Sequence, residues 1–336
     1  MLMTPPSPRP ARILGVGRYL PARVVTSDEL AAIVGVAPGW IERNQGVHER
    51  RWVADETAPW MAAAAAREAL EEAGLEPGDL DLILNASGTQ PQAIPDGAAL
   101  IQRELGLGES GVAAFSVHAT CLSFMVGFDL ASHLLASGAY RHILVVTADI
   151  SSRALDFTQP EASTLFGDMA AAVVLGRAEQ GSGSGVLAAR METFSVGADF
   201  TTIPGGGTTR HPNRPETRPE DNLFHMEGRK VARLSFRHAG EVLEHLRPGL
   251  STGLGDLDWV IPHQASLLGI RALTKVYGYP EDRVITTLHR LGNCVAASIP
   301  GTLYEAVRSG RLQRDQTALM VGTGAGLSIG GLVFRY

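Results

Sequence analysis

One of only two cysteines in this 336-residue chain, Cys121, stands in "FSVHATCLSFMVGFDLASHLLASG" (115–138), where an apolar run gives way to amphipathic, helix-like text. Amides left unpaired at a helix start carry partial positive charge, which favours thiolate and lowers a thiol pKa. The same amides can hold the oxyanion made when a thiolate attacks a carbonyl. The competing reading is plain, because most free cysteines are small buried packing residues. Cys294, beside Asn293 and without any such signal, reads as core. His263 directly follows the apolar "DWVIP" and so caps a strand at its C-terminal end, where α/β sheets present ligand groups; nine other histidines compete for structural roles. Asn293, in "RLGNCVAAS", lies on a Gly turn before a helix, where a simple helix cap is the strong alternative. The small residues of "GTGAGLSIGG" make either a tight corner or a surface of backbone amides open to substrate.

These residues need a frame. "DLILNAS", "HILVVTAD", "AAAVVLG", "DWVIPHQ" and "TALMVGTG" read as strands, separated by helical text such as "PWMAAAAAREALEEAG" and "RKVARLSFRHAGEVLEHL". Such alternation predicts a layered α/β protein with sheets buried on both faces. The alanine run at 62–66 reads as a close-packing helix face. "IPGGGTTRHPNRPETRPEDN" (203–222) is dense in turn residues and predicts a long surface excursion over the site mouth; its triple glycine lacks a following Lys-Ser or a strand–helix frame, so phosphate binding there is not expected. A faint internal repeat pairs "LDLILNAS" with "LDWVIPHQAS" and "RHILVVTADIS" with "QTALMVGTGAG". Aligning the Ser-Gly endings of the intervening helices sets Cys121 opposite Asn293. Two related halves, 11–178 and 185–336, then bring Cys121, His263 and Asn293 towards one pseudo-twofold centre, with 1–10 as a flexible tail.

Composition narrows the classes. With 45% hydrophobic and 19% charged residues the chain fits a globular α/β protein. A net charge of −6 argues against a general nucleic-acid binder. Two cysteines cannot form a disulfide framework and suit a reducing, cytoplasmic setting. No stretch reads as long enough to span a bilayer, and "MLMTPPSPRPAR" lacks the apolar core of a signal peptide.

Taken in order, "WIERNQGVHERR", "ATCLSF", "FGDMAAAVVLG", "PHQAS", "GNCVAASIP" and "GTGAGLSIG" resemble the β-ketoacyl-acyl-carrier-protein synthase III family of thiolase-like condensing enzymes, from about residue 11 to the C-terminus. The resemblance implies a thiolase-like fold of duplicated βαβ halves in five layers, α-β-α-β-α, and a catalytic Cys121, His263 and Asn293. Cys121 is expected to take an acyl group from a thioester, with a malonyl thioester on acyl carrier protein then decarboxylating and condensing with it. His263 and Asn293 are expected to stabilise the enolate, and the backbone N–H groups of Cys121 and Ala325 the tetrahedral oxyanion. No cofactor beyond the thioester substrates is implied, nor a metal. The family is homodimeric, and Ile94 falls where a partner residue closes the acyl pocket.

Trp40, Gly228, Ala232 and Ser266 are the other expected substrate contacts, and Arg233 and Lys275 the expected carrier-protein contacts. The sequence departs from the family pattern at several of these places. Ser266 replaces an asparagine, Leu268 a basic residue, Asn44-Gln45 an Arg-Thr pair, Pro160 an arginine, and Ala232 an aromatic residue beside the pantetheine arm. These changes point away from standard acetyl-coenzyme A priming, towards a carrier-bound or unusual donor. Two other readings stay open: passage of the Cys121-bound acyl group to an alcohol or amine, and a non-catalytic partner subunit of a condensing heterodimer.

Overall fold

The computed structural model describes residues 8–179 and 181–336. Two sheets carry the molecule. The first runs in the order Ala11–Tyr19, Met169–Arg177, His142–Asp149, Leu82–Asn85, Ala113–Ser116; the second runs Gly185–Thr193, Ser328–Arg335, Thr317–Gly324, Trp259–Pro262. In each, the first strand pairs antiparallel with a hairpin strand, and the crossover strand next to the hairpin is parallel. The first sheet has one more parallel strand; in the second its counterpart shrinks to a single bridge between Val260 and Val284.

Between the sheets lie the helices Ser123–Ser137 and Ser298–Arg308, whose apolar side chains join both sheets in one core around Phe124, Phe128, Ile299 and Leu303. Ala58–Ala73 covers the outer face of the first sheet and Gly228–Leu246 that of the second. The result is the expected α-β-α-β-α layering. The helix Ala58–Ala73 carries Pro59 in its first turn and stops at Gly74 in the left-handed region, and it buries its alanine run. That bare face draws the first strand so close that a Cβ on Gly15 or Gly17 would overlap the carbonyl oxygens of Ala69 or Ala65.

One sequence expectation meets a helix that tests it, and another changes. The segment Thr120–Ser137 is, by length and composition, apolar enough to cross a membrane, with mean hydropathy 1.3 over 18 residues. Its place between two sheets accounts for that character, since a helix covered on both sides needs no polar face. The repeat alignment also slips. Thr120 and Val295 share a φ of 51°, and in each turn a backbone N–H (Ala119, Cys294) donates to the serine that opens the helix (Ser123, Ser298) at 2.9 Å. Cys121 therefore corresponds to Ala296, and Asn293 to His118. The second helix has 11 residues against 15, so counting back from the helix endings misplaces the pair by about one turn.

Residues 1–7 of the expected tail lie outside the described residues. Arg9 is not tail: it bridges to Val186, and its buried guanidinium reaches Ser132 and Asp129. The excursion 203–222 is largely exposed surface, and only Ile203 in it borders the central cavity. Gly17→Val should lower folding stability by about 2–3 kcal/mol, because the helix backbone beneath it cannot yield. A shift of the denaturant midpoint measures this, and an unchanged midpoint would contradict the packing.

Candidate active site

Three chain segments deliver chemistry to one cavity of about 930 Å³. Cys121 sits on a one-turn 3₁₀ segment, Thr120–Leu122, at the head of the inter-sheet helix. Thr120 holds a positive φ that only a tight turn demands, and the turn thrusts the thiol into the cavity. The strand ending in "GTG" lies against it: a Cβ on Gly324 would crowd the Thr120 hydroxyl and the Ala119 carbonyl. The small residues thus make room for the nucleophile's own turn. That contact sets Ala325 beside the sulfur, where the backbone N–H groups of Ala325 and Cys121 both act to lower the thiol pKa.

His263 follows the strand Trp259–Pro262 and is 5% exposed. Its N–H donates to the Val321 carbonyl at 2.8 Å, and Gly322 lies directly under its Cβ. Its Nδ1 is buried without a partner. Burial lowers the imidazole pKa to about 4, so the ring is neutral at physiological pH. Asn293 is 6% exposed and pinned through its backbone, which exchanges hydrogen bonds with Leu165 and Gly167 of the first half at 2.8 and 3.1 Å. Its Oδ1 accepts from Val295 N–H at 2.9 Å and its Nδ2 donates to the Ala265 carbonyl at 3.3 Å. Cys121, His263, Asn293 and Ala325 all line the cavity; Cys294 is buried core.

The thiol departs from expectation. Burial, and then the Asp149 carboxylate, push its pKa up to about 12, outweighing the amides of Ala325 and Cys121. Helix-start amides favour a thiolate, but here the packing around the half-buried Cys121 and the nearby carboxylate outweigh them. Asp149 is the residue that sequence reasoning missed. One of its oxygens accepts from Gly88 N–H, Thr89 N–H and the Thr89 hydroxyl at 2.8, 2.7 and 3.1 Å; the other accepts from Ala297 N–H at 3.0 Å. Burial raises its own pKa to about 7 against those hydrogen bonds. The only sequence signal was an acidic residue closing the apolar strand "HILVVTAD".

The expected substrate residues divide. Trp40, Gly228, Ala232 and Ser266 line the cavity, as do Asn44 and Gln45. The Ser266 hydroxyl is already engaged, capping the helix Leu267–Lys275 through Gly269 N–H at 3.1 Å. Gln45 donates to the Glu161 carbonyl at 3.1 Å, beside Pro160. Arg233 and Lys275 are exposed and lie outside the cavity lining, whereas Arg229 borders it. Ile94 lines no part of its own chain's cavity and is 87% exposed.

A thiol under two converging amides, beside a neutral imidazole and a carboxamide, is equipped for acyl transfer through a thioester and for stabilising a second oxyanion. Residues 115–195 match the family model for 3-oxoacyl-[acyl-carrier-protein] synthase III, and residues 250–336 match the model for its C-terminal part. The β-ketoacyl-[acyl-carrier-protein] synthase III of Methylococcus capsulatus is 35% identical over 98% of this chain and 99% of that protein. The chain belongs to the β-ketoacyl-acyl-carrier-protein synthase III family. It is a condensing enzyme of the acyltransferase class. The crystal structure of the 3-oxoacyl-[acyl-carrier-protein] synthase III of Aquifex aeolicus superposes with a TM-score of 0.86 at 34% identity, covering 97% of this chain and all of that one. The priming β-ketosynthase of the R1128 polyketide pathway superposes with a TM-score of 0.85 at 30% identity, covering 99% and 98%.

Alkylation of Cys121 by iodoacetamide, followed by intact mass, should be slow at neutral pH and climb steeply towards pH 10, since the thiolate fraction rises about tenfold per unit below the thiol pKa. Asp149→Asn should accelerate it several-fold. The acceleration should be larger above about pH 7, where the native carboxylate is ionised, than below it. Equal rates in both proteins across the range would remove Asp149 from the thiol's environment.

Proposed function

We propose that this synthase acylates Cys121 from a thioester and then joins that acyl group to a malonyl unit carried on acyl carrier protein, with loss of carbon dioxide. The observation that carries the reading is the shared cavity, in which a sulfur with two amide donors meets a neutral imidazole and a carboxamide anchored from the other half.

The steps follow from the groups present. The Cys121 thiol attacks the donor carbonyl while the N–H groups of Cys121 and Ala325 receive the developing oxyanion; collapse breaks the donor C–S bond, the Cys121 proton ends on the departing sulfur, and an acyl-enzyme and free donor thiol remain. The malonyl thioester then enters. Its carboxylate departs as carbon dioxide, and the electron pair left behind is held as an enolate by hydrogen bonds from His263 and Asn293 to the thioester oxygen. A neutral imidazole suits this task, because it donates a hydrogen bond without protonating the carbanion. The carbanion attacks the acyl carbonyl, the Cys121 sulfur leaves, and a β-ketoacyl thioester is released. No group beyond the two thioesters is needed.

Trp40, Gly228 and Ala232 are read as the walls past which the substrate arm enters. Arg233 and Lys275 are read as surface cations for the acidic carrier protein. Ile94, standing out from its own chain, is read as closing the acyl pocket of a second copy in a cytoplasmic homodimer. Initiation of a fatty-acid chain or of a polyketide chain both fit this chemistry.

Cys121→Ala should form no acyl-enzyme by intact mass while keeping the native melting temperature. His263→Ala and Asn293→Ala should still acylate but lose malonyl-dependent product by roughly 10²–10³-fold. Full condensation in either variant would refute its assigned role. An adduct on the native enzyme that discharges to an alcohol or amine without a malonyl unit would instead identify plain acyl transfer.

A further inference from the structure

Acylation of Cys121 needs a carrier for one proton. It must leave the sulfur as the new bond forms and reach the departing donor sulfur, and a thiol whose pKa is pushed up to about 12 does not shed it unaided near neutrality. Besides Cys121, the ionisable side chains lining the cavity among the described residues are His118, Glu161, Arg229, His263 and Tyr277. An arginine and a phenol keep their protons at neutral pH. Glu161 is exposed beside Gln45, on the side where the substrate arm is read as entering. His263, with a pKa lowered to about 4, is a feeble acceptor and is already assigned as an N–H donor. The Asp149 oxygens already accept four hydrogen bonds. His118 remains.

This imidazole opens the turn that carries the nucleophile. Val117 is still tied to the first sheet, its N–H donating to the Asn85 carbonyl at 2.8 Å; His118 follows, and Ala119 and Thr120 lead directly to Cys121. The His118 Nδ1 lies 3.3 Å from the Ser87 carbonyl. A carbonyl oxygen only accepts, so Nδ1 carries the hydrogen and Nε2 keeps a lone pair. The loop that holds the ring also packs on the turn, since a Cβ on Gly88 would come within 3.2 Å of the Thr120 carbonyl. Ring, loop and nucleophile turn form one unit.

The two halves use this device in parallel. His118 corresponds to Asn293, and each is tied to a carbonyl just past a strand: His118 to Ser87 after Leu82–Asn85, Asn293 to Ala265 after Trp259–Pro262. The first half thus fills the place of a hydrogen-bonding carboxamide with a ring that also binds a proton. His118 is exposed as well as cavity-lining, so it meets water on one side and the reacting groups on the other. An imidazole is the side chain best suited to take up and return a proton near neutrality.

We propose that His118 is the acid–base residue of acylation: its Nε2 accepts the Cys121 proton, directly or across one water, as the sulfur–carbon bond forms. It returns that proton to the donor sulfur as the donor C–S bond breaks, so the ring ends as it began. The assignment rests on the thioester reading above and adds to it the carrier of the proton.

The test times acylation of Cys121 by intact mass, using the acyl thioester, on coenzyme A or on acyl carrier protein, that the native enzyme takes fastest. His118→Asn keeps an N–H for the Ser87 carbonyl and removes the base. It should retain the native melting temperature and acylate about 10²-fold more slowly, the lower end of general acid–base contributions. Added imidazole should restore part of the His118→Ala rate in proportion to its concentration, with no effect on the native rate. Condensation from isolated acyl-enzyme should fall by less than about threefold in both variants, because no thiol proton is removed in that step. Undiminished acylation in His118→Asn overturns the assignment. So does a slow His118→Ala that imidazole leaves slow, or an equal loss in both steps, either of which marks the ring as an anchor alone. These three results leave the condensing reading intact, whereas native enzyme that takes no acyl group from any donor overturns both.

Discussion

The Asp149 carboxylate receives hydrogen bonds from Gly88 and Thr89 in the first half of the molecule and from Ala297 in the second, at the level of the nucleophile. Much of the site's geometry depends on this. The Ala297 bond fixes the turn that begins at Asn293, the Gly88 bond fixes the loop packed against Val295, and both turns flank Cys121. A buried hydrogen bond to a charged group is worth about 1.5–3 kcal/mol, and an orphaned buried donor costs a comparable amount. Two halves whose relative position is set by such bonds can hold catalytic groups from both with little play.

Burial shapes every titratable group at this centre, in different directions. It raises the thiol pKa, keeps the imidazole neutral and lifts the Asp149 carboxyl pKa to about 7, because burial disfavours each charged form. On the proposed mechanism these are useful resting states. A protonated sulfur is protected from adventitious oxidation and alkylation until a substrate carbonyl arrives. A neutral imidazole leaves a newly formed carbanion unprotonated long enough to attack. The amides aimed at the sulfur favour charge that exists only during transfer, which is where preorganised donors act most strongly.

Local chemistry was legible in the sequence and its three-dimensional environment was not. Cys121 at a helix start, His263 at a strand end and Asn293 on a glycine turn are each set by a few neighbouring residues, and the structure brings all three to one cavity. The strand pattern likewise yields two sheets with matching order. The thiol pKa could not be read, because desolvation depends on what packs around the sulfur rather than on what precedes it. Asp149 looked like an ordinary strand terminus, since its partners lie about 60 and 148 residues away. The repeat slipped by a turn because helix length is invisible when only endings are aligned.

A single-turnover experiment addresses the whole arrangement at once. Isolated acyl-enzyme, freed of donor and mixed with malonyl-acyl carrier protein, should release one carbon dioxide per acyl group lost from Cys121, with β-ketoacyl product appearing in step. Loss of the acyl group without carbon dioxide, or carbon dioxide without loss of the acyl group, would show that the sulfur and the two hydrogen-bond donors do not serve one reaction.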